Sequence, residues 1–337
     1  MTVVLIGILA CGIAAVGTGF VRQYSLSRHV MDMPNERSSH TRPTPRGGGA
    51  AIVAGVLLSV ALLWSVGAIA ADAALAVLGA GTAVAAVGFI DDHQPVPARM
   101  RLAVHFVAAG WVLYCFRLPP AWNALNAGRL IDALGYVVAA FVLVWLLNLY
   151  NFMDGIDGLA ATEAVTACFG AVAITASTND VSSLALVLGA AALGFLVWNF
   201  PPARIFMGDV GSGFLGLMVG IMALGELERS IEAGAAWLIL LAVFITDASL
   251  TLLRRWQRGA PLASAHRTHA YQHAAAAWRS HRRVTLLVAA VNLFWLLPLA
   301  FLVDRGTIPP LVGLAAAFLP LVGAAWRLGA GVPQAVS

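Results

Sequence analysis

Residues 148–159 read N-L-Y-N-F-M-D-G-I-D-G-L, and they close an apolar run that is long enough to cross a bilayer. Four polar side chains recur there at every third position: Asn148, Asn151, Asp154 and Asp157. If the helix predicted over residues 133–150 continues through them, they share one face, which is unfavourable against lipid. Gly155 and Gly158 let the backbone leave the helix and approach a ligand closely. The stretch therefore predicts a binding site for a charged ligand at a membrane edge.

The composition of the chain around this stretch is that of a membrane protein. Its 337 residues are 60% hydrophobic and 11% charged, with a mean hydropathy of +0.85, whereas an average soluble domain has roughly 25% charged residues. We predict an all-α polytopic protein, with residues 1–337 forming a single transmembrane domain. The net charge of +4 does not indicate nucleic-acid binding, because no soluble face remains to carry a basic patch.

Apolar runs of bilayer length predict about eleven spans. They cover residues 2–21, 48–69, 73–90, 101–117, 133–150, 159–177, 182–199, 212–226, 234–253, 284–303 and 307–326. This topology leaves four of the twenty basic residues on one side: Arg117, Arg129, Arg229 and Arg305. The other sixteen lie on the opposite side, which is cytoplasmic by the positive-inside rule. The N-terminus is then outside and the C-terminus is cytoplasmic.

Five segments on the predicted cytoplasmic side hold most of the unusual polar residues: 22–49, 91–101, 148–158, 200–213 and 254–283. The outer loops are short or ordinary in composition. Cys11, Cys115 and Cys168 lie within or beside apolar runs and predict neither a disulfide framework nor a zinc site. We therefore expect the functional site on the cytoplasmic face.

Carboxylates from three of these segments indicate a divalent cation. Asp91 and Asp92 are adjacent at the end of the third span, Asp154 and Asp157 lie in the central stretch, and Asp209 lies in a Gly-rich turn. Adjacent carboxylates repel each other unless a cation neutralises them, and Mg²⁺ prefers oxygen ligands that it shares with phosphates. The alternative is that some acids, such as Asp157 or Asp209, only cap helix N-termini.

Two basic segments suit phosphate. Residues 34–49 read P-N-E-R-S-S-H-T-R-P-T-P-R-G-G-G, which offers Arg, hydroxyl and Gly amide donors, although a topology-setting basic loop also explains the Arg. The last large loop contains His266, His269 and His273, for which phosphate contact is favoured over metal ligation. Asp247 lies inside an apolar run, and its alternatives are an ion pair with Arg254 or Arg255 and a site role.

Acids for Mg²⁺, Arg and His for phosphate, and a surrounding bilayer together indicate phosphoryl transfer from a soluble activated compound to a lipid-borne acceptor. Outside enzymology, the alternative is a polytopic transporter of lipid or sugar, which predicts acids at the bilayer midplane and paired broken helices. A CDP-alcohol phosphatidyltransferase is a further alternative, but its D-G-x-x-A-R signature is absent.

The motifs G-F-I-D-D, N-x-x-N-F-M-D-G-I-D-G-L, N-F-P-P-A-R-I-F-M-G-D-V-G-S and the His-containing loop resemble those of the polyprenyl-phosphate N-acetylhexosamine-1-phosphate transferases, between about Pro34 and His273. The resemblance implies an enzyme of the bacterial inner membrane that converts a UDP-N-acetylhexosamine and undecaprenyl phosphate into undecaprenyl-diphosphate-sugar and UMP. It also implies dependence on Mg²⁺, with Mn²⁺ as the alternative ion, and it is compatible with a homodimer.

The resemblance also assigns roles to residues of this chain. Asp91 and Asp92 become the acidic pair near the lipid phosphate, one of them a general base, while Asp209, with Asp92, holds the metal. Catalysis further involves Asp154 and His269, the latter at the diphosphate. The predicted substrate-binding residues are Thr44, Arg46, Asn151, Asp157, Asn199, Phe206, His266 and His273, of which Asp157, Asn199 and Phe206 are placed near the nucleobase.

Two departures from the family pattern bear on the substrate. Many relatives carry His-x-His-His in the last loop, but this chain reads H-A-Y-Q-H at residues 269–273, which leaves the roles of His266 and His273 open. The first loop, with N-E-R-S-S-H and P-T-P-R-G-G-G, is more similar to the branch that initiates O-antigen or other surface polysaccharides. The peptidoglycan-type phospho-MurNAc-pentapeptide transferase is the alternative, and the sugar stays open.

Overall fold

Helices make up nearly all of the structure, a computed structural model that describes residues 1–34, 39–40, 42–116, 129–175, 179–261 and 266–333, with the backbone alone for 129–132. This confirms the predicted all-α class. Arg117, the Arg129 side chain, and residues 35–38 and 41 of the predicted phosphate-binding loop lie outside the described residues.

The first half of the chain contains α1 (Thr2–Ser27), β1 (Met31–Asp32), β2 (Thr44–Pro45), α2 (Gly49–Ser65), α3 (Ala71–His93), α4 (Ala98–Cys115) and α5 (Arg129–Met153). The second half contains α6 (Leu159–Ile174), α7 (Asp180–Asn199), α8 (Asp209–Arg229), α9 (Ile231–Leu240), α10 (Ala242–Gln257), α11 (Ala270–Trp278), α12 (His281–Val291), a π-helix (Asn292–Leu296), α13 (Leu297–Asp304) and α14 (Pro310–Arg327). The two short strands pair in antiparallel fashion, with Met31 opposite Pro45.

Within the described residues, seven helices are long and apolar enough to cross a membrane. An eighth span results if α9 and α10, which meet at a bend of 73°, are taken together. In the part of the chain that the structure describes, each of the eleven predicted spans overlaps a helix, but α4 is not among the candidate spans, and α2 and α6 are shorter apolar helices of 17 and 16 residues. The count of eleven and the orientation of the termini stay predictions.

Helices α2 and α3 both pack against the start of α8 through glycines. A Cβ on Gly211 would lie 2.6 Å from the Cα of Gly49, and a Cβ on Gly88 would lie 2.5 Å from the carbonyl oxygen of Asp209. Because a larger side chain does not fit at either contact, glycine allows the backbones to touch, as is common between helices in membranes. This packing brings the end of α3, with its acids, beside Asp209.

The helix does not continue through the whole central stretch. Helix α5 ends at Met153, so Asn148 and Asn151 are helical whereas Asp154 and Asp157 lie in the following turn. Gly158 has φ +74°, a left-handed conformation that ends the turn before α6 begins. The four polar residues therefore do not share one helical face, and the two acids project from a loop instead.

Candidate functional site

All five predicted cytoplasmic segments contribute to one cavity of about 680 Å³. Nine of the predicted site residues line it: Arg46, Asp92, Asn151, Asp154, Asp157, Asn199, Phe206, Asp209 and His266. The other four predicted site residues, which are Thr44, Asp91, His269 and His273, are not part of its lining. The cavity is thus a meeting point of segments that are far apart in the sequence.

Asp92 caps helix α8 from the end of another helix. Its Oδ1 accepts a hydrogen bond from the Asp209 N–H at 3.0 Å, and its Oδ2 accepts one from the Val210 N–H at 3.2 Å. A carboxylate is favourable at a helix N-terminus because the unpaired N–H groups carry partial positive charge. Arg46 supports the same helix end, since its Nε donates to the Asp92 carbonyl oxygen at 2.9 Å. The capping role considered for Asp157 or Asp209 thus belongs to Asp92.

Asp91 faces away from Asp92 and belongs to an ion-pair cluster with Arg101. The Arg101 Nη1 donates to Asp91 Oδ2 at 2.5 Å and to Asp209 Oδ2 at 3.1 Å. The second oxygen of Asp91 accepts a hydrogen bond from the Val96 N–H at 2.6 Å. Arg101 was not recognisable as a site residue from the sequence, because ten residues separate it from Asp91 and 108 from Asp209.

Asp154 lies where negative charge accumulates. Burial raises the pKa of its carboxyl well above the usual value, and the charges of Asp209, Asp92 and Asp157 raise it further. Such a group favours binding of a cation, because a positive charge would relieve both effects. The arrangement therefore fits Mg²⁺ as far as charge is concerned.

The number of protein ligands for a metal is limited. Among the residues that the structure describes, no group of three or more His, Cys, Asp or Glu side chains is arranged to hold a metal ion. Mg²⁺ is commonly bound through one or two carboxylates, with phosphate and water completing the shell. Asp154 and Asp209 suit such a site better than Asp92, whose two carboxylate oxygens already accept backbone hydrogen bonds.

Asp157 is fixed at the other end of the cavity. Its Oδ1 lies 3.2 Å from His281 Nδ1, and its Oδ2 accepts a hydrogen bond from the Ala203 N–H at 3.0 Å. Burial raises the pKa of Asp157, but the contacts with His281 and Ala203 outweigh it, so the pKa lies below its usual value. Asp157 is consequently a carboxylate at neutral pH.

Asn199 and Phe206 also line the cavity. The Asn199 Oδ1 accepts a hydrogen bond from the Gly158 N–H at 3.0 Å, and its Nδ2 donates to the Ile205 carbonyl oxygen at 2.9 Å. The Phe206 ring meets the His40 ring edge-on, with 4.8 Å between centroids. An aromatic ring in the lining of a polar cavity can stack on a flat polar ring such as a nucleobase.

The histidines of the last loop lie at different depths. His266 lines the cavity and stacks on His269 with 5.0 Å between ring centroids. His269 is only 2% exposed, and its Nδ1 lies 3.2 Å from Asp247 Oδ1. Burial lowers the pKa of His266 to about 4, and the neighbouring His269 and Arg255 lower it as well. Of the three predicted histidines, His266 is therefore the one that lines the cavity, in neutral form.

Asp247 anchors this loop and does not pair with Arg254 or Arg255. Besides His269, its carboxylate accepts hydrogen bonds from the backbone N–H groups of Ala270 and Tyr271, each at 2.9 Å. Asp247 thus caps the start of α11. The contacts of the Asp247 carboxylate are thus with a histidine and a helix N-terminus, in place of the arginine of the ion-pair alternative.

Thr44 and His273 make their contacts away from the cavity. The Thr44 hydroxyl donates to the Arg42 carbonyl oxygen at 3.1 Å. His273 packs against the chain that follows α14, where a Cβ on Gly329 would lie 3.1 Å from its Nδ1. Neither side chain therefore reaches the lining of the cavity.

Several lining residues were not predicted as site residues: Asp32, Ser39, His40, Gln272 and His281. All of them fall in the two long segments that the sequence places on the cytoplasmic side. Their segments were recognisable from composition, but their individual roles depend on contacts such as that between His281 Nε2 and the Ser39 carbonyl oxygen at 3.1 Å.

A groove of about 450 Å³ adjoins this cavity and runs between α3, α4 and α5. Its walls are mostly apolar and include Phe106, Phe141 and Trp145. Asn151 and Asp209 line both the groove and the cavity. An apolar chain in the groove would thus have its end group beside the carboxylates.

Comparison with known proteins gives consistent matches. The family model described as glycosyl transferase family 4 matches residues 74–226. A decaprenyl-phosphate N-acetylglucosaminephosphotransferase of Mycolicibacterium smegmatis is 31% identical over 319 residues, which cover 84% of this chain and 78% of the relative. A probable undecaprenyl-phosphate N-acetylglucosaminyl 1-phosphate transferase of Bacillus subtilis is 29% identical over 286 residues, with 82% and 78% covered. A phospho-N-acetylmuramoyl-pentapeptide-transferase of Streptococcus thermophilus is 31% identical over 183 residues, with 50% and 52% covered.

Proposed function

Because the chain belongs to glycosyl transferase family 4, we propose that it transfers an N-acetylhexosamine 1-phosphate from a UDP-sugar to undecaprenyl phosphate and releases UMP. The observation that carries the proposal is the junction at Asn151 and Asp209, where a polar cavity lined by five aspartates meets an apolar groove. One substrate of the reaction is a charged nucleotide and the other is a lipid, and this junction offers a suitable surface to each.

The acceptor fits the groove. An isoprenoid chain has no polar atoms, so burial between α3, α4 and α5 is favourable at about 25 cal/mol per Å² of apolar surface. Arg101 borders the groove beside Asp209, where a guanidinium can bind phosphate oxygens. The acceptor phosphate would then lie next to the carboxylates.

The donor fits the polar cavity. Phe206 would stack on the uracil, Asn199 and Asp157 would fix the backbone around it, and His266 and Arg46 also line the cavity. The relatives named for N-acetylglucosamine match over 84% and 82% of the chain, against 50% for the muramoyl-pentapeptide enzyme. This favours an N-acetylglucosamine-type donor and a role in surface polysaccharide synthesis, such as O-antigen initiation, over the peptidoglycan step.

Asp154 and Asp209 would hold Mg²⁺, which when bound neutralises charge on the phosphate oxygens. An acceptor oxygen attacks the β-phosphorus of the donor, the bond from that phosphorus to the bridging oxygen breaks, and UMP leaves. A phosphate monoester has a second pKa of about 6, so the acceptor is mostly dianionic at neutral pH. We favour direct attack over an aspartyl-phosphate intermediate, because Asp92 caps α8 and Asp91 is paired with Arg101.

UMP release tests the proposal. Detergent-purified protein receives undecaprenyl phosphate, Mg²⁺ and one UDP-N-acetylhexosamine at a time. We expect lipid-dependent UMP from one donor, and a loss of at least about 100-fold in Asp154→Asn and Asp209→Asn, since each removes charge at the reacting phosphates. Asp72→Asn, at the opposite end of α3, is the matched control and should stay active.

UMP formation in the absence of the lipid, or full activity in both carboxylate variants, would contradict this assignment. If folded protein forms no UMP from any donor but moves a labelled lipid or sugar across vesicles, the transporter interpretation replaces it. Chelation of the divalent ion should stop the reaction, and Mg²⁺ or Mn²⁺ should restore it.

A further inference from the structure

Next to the main cavity lies a second one, of about 610 Å³. Three arginines border it, Arg267, Arg279 and Arg282, and we call it the arginine pocket. The two cavities share Ser39, Asp157 and His281. The arginine pocket thus opens beyond the Asp157 end of the main cavity, away from the carboxylates that suit Mg²⁺.

The positive charge of the arginine pocket is not balanced within the described part of the chain. None of the three arginines takes part in the ion pairs found among the described residues. The Arg267 Nε is buried and has no hydrogen-bond partner there. Asp157 is the acid in the lining, and His281 and the Ala203 N–H already bind its two oxygens. A buried donor is normally satisfied, so an anion bound to the Arg267 Nε would complete it, and the exposed Arg279 and Arg282 side chains can reach the same anion.

The start of α12 carries further positive charge beside the arginine pocket. The helix begins at His281 and carries Arg282 and Arg283 in its first turn, which itself contains no acid; the Asp157 carboxylate beside His281 offsets part of this charge. Helix N-termini have partial positive charge, and basic residues there are unfavourable unless an anion offsets them. Ser280 caps the helix by accepting a hydrogen bond from the Arg283 N–H at 3.2 Å. The charge pattern of this turn therefore opposes local stability, which is typical of a binding site.

Arg279 has a strained backbone at the edge of the pocket. Its φ of +49° and ψ of 38° are left-handed, a conformation that glycine or asparagine adopts more readily. The residue ends α11 and leads directly into the Ser280 cap. An arginine at a position that favours glycine indicates that its side chain has a role of its own.

The location of the pocket indicates the class of anion. Helix α12 opens a segment, His281–Asp304, that is long and apolar enough to cross a membrane, so its first turn lies at the depth of lipid headgroups. Trp278, which is 40% exposed, lies at the same end, as tryptophans often do at membrane interfaces. We propose that the arginine pocket binds a phosphate-bearing anion, either a phospholipid headgroup or free phosphate, as a site separate from both substrates of the transfer reaction.

Lipid binding to the full-length, detergent-purified protein tests this directly. Native mass spectrometry compares the retention of phosphatidylglycerol and phosphatidylcholine by the parent and by a double variant, Arg279→Gln with Arg282→Gln. We expect the parent to prefer phosphatidylglycerol and the double variant to bind it about tenfold more weakly, because two charge-assisted hydrogen bonds are lost. Arg279→Lys with Arg282→Lys should retain most of the binding.

The matched control is Arg258→Gln with Arg327→Gln, which removes two exposed arginines of the same predicted membrane face. Equal weakening in this control would show a general charge effect and overturn the proposal. Binding unaffected in the pocket variant would overturn it as well, and so would displacement of the lipid by UDP, because the pocket would then belong to the donor site.

Inorganic phosphate distinguishes the two sources. If phosphate raises the unfolding temperature of the parent and not that of the pocket variant, while phosphatidylglycerol shows no preference, the anion is free phosphate. If phosphatidylglycerol alone shows the arginine dependence, the anion is a headgroup. If neither depends on the two arginines, the site does not exist. These measurements do not require transferase activity, so a failure of the proposed function leaves their outcome interpretable.

Discussion

At the scale of single residues, Gly208 and Asp92 determine how the acids are arranged. Gly208 has φ +77°, and a Cβ at this residue would lie 2.5 Å from Asp92 Oδ2 and 2.7 Å from Oδ1. The missing side chain thus leaves the space in which the Asp92 carboxylate reaches the N–H groups of α8. Glycine is required here for both its backbone conformation and its size.

Gly208→Ala should therefore displace the Asp92 carboxylate and damage both stability and transfer. An alanine at φ 77° and ψ 172°, a region that essentially only glycine adopts, costs roughly 1–3 kcal/mol, and loss of the helix cap adds about 1 kcal/mol. We expect a clearly lower unfolding temperature in detergent and at least about tenfold slower UMP release. Gly67→Ala is the control, because Gly67 has φ +68° but a Cβ there would have nothing within 4 Å. Equal behaviour of the two variants would refute the role of the Asp92 contact.

At the scale of elements, the end of α14 supports the loop that carries His266. Arg254, near the end of α10, lies over the Trp326 ring at 4.0 Å and donates to the Ala330 carbonyl oxygen at 2.7 Å. The Gly331 N–H donates to the Thr268 carbonyl oxygen at 2.7 Å. The Thr268 hydroxyl in turn lies 3.0 Å from His266 Nδ1. A continuous set of contacts thus joins the last helix to the cavity.

Trp326→Ala should loosen this support. A cation–π contact at an exposed site contributes about 0.5–1 kcal/mol, so we expect UMP release to slow about two- to fivefold. The unfolding temperature should change little, because Trp326 is 56% exposed. Trp326→Phe keeps an aromatic face and should restore part of the rate, whereas Trp64→Ala, on α2, should have no effect. Identical rates for the Ala and Phe variants would rule out the cation–π contribution.

At the scale of the whole molecule, the sequence predicts the segments of the site better than their contacts. The acids at residues 91–92, 154, 157 and 209 stood out because charge is rare in an apolar chain, and four of those five line the cavity. The predicted end of the fifth span at residue 150 lies three residues before the end of α5 at Met153, whereas the condition that the helix continues through Asp154 and Asp157 is not met.

Contacts between segments that are far apart in the chain could not be predicted from local sequence patterns. His281 lies 242 residues after Ser39, to which it is hydrogen-bonded, and Arg101 lies 108 residues before Asp209. Spacing along the chain carries no information about such pairs, because helix packing decides which ends meet. For the same reason, the sequence could not predict that His269 is buried more deeply than His266. Both histidines fit a phosphate-binding loop equally well in sequence.

Membrane orientation belongs to this scale too. In a background without Cys11, Cys115 and Cys168, a membrane-impermeant maleimide added to intact cells should label Ala70→Cys and not Gln257→Cys, since sixteen of twenty basic residues are predicted to be cytoplasmic. Gln257→Cys should react once the cells are permeabilised, which serves as its positive control. The opposite labelling pattern would reverse the predicted orientation.

The lining of the main cavity runs from Asp32 to His281, and this span affects how the protein is made. During synthesis, the carboxylates at the ends of α3 and α5 reach the membrane long before His281 leaves the ribosome. A nascent chain therefore holds acids without the partners that later fix them, and a chain arrested before α12 lacks one wall of the cavity. Ribosome stalling or early proteolysis should yield inactive fragments and no partly working enzyme, so activity reports on completed insertion.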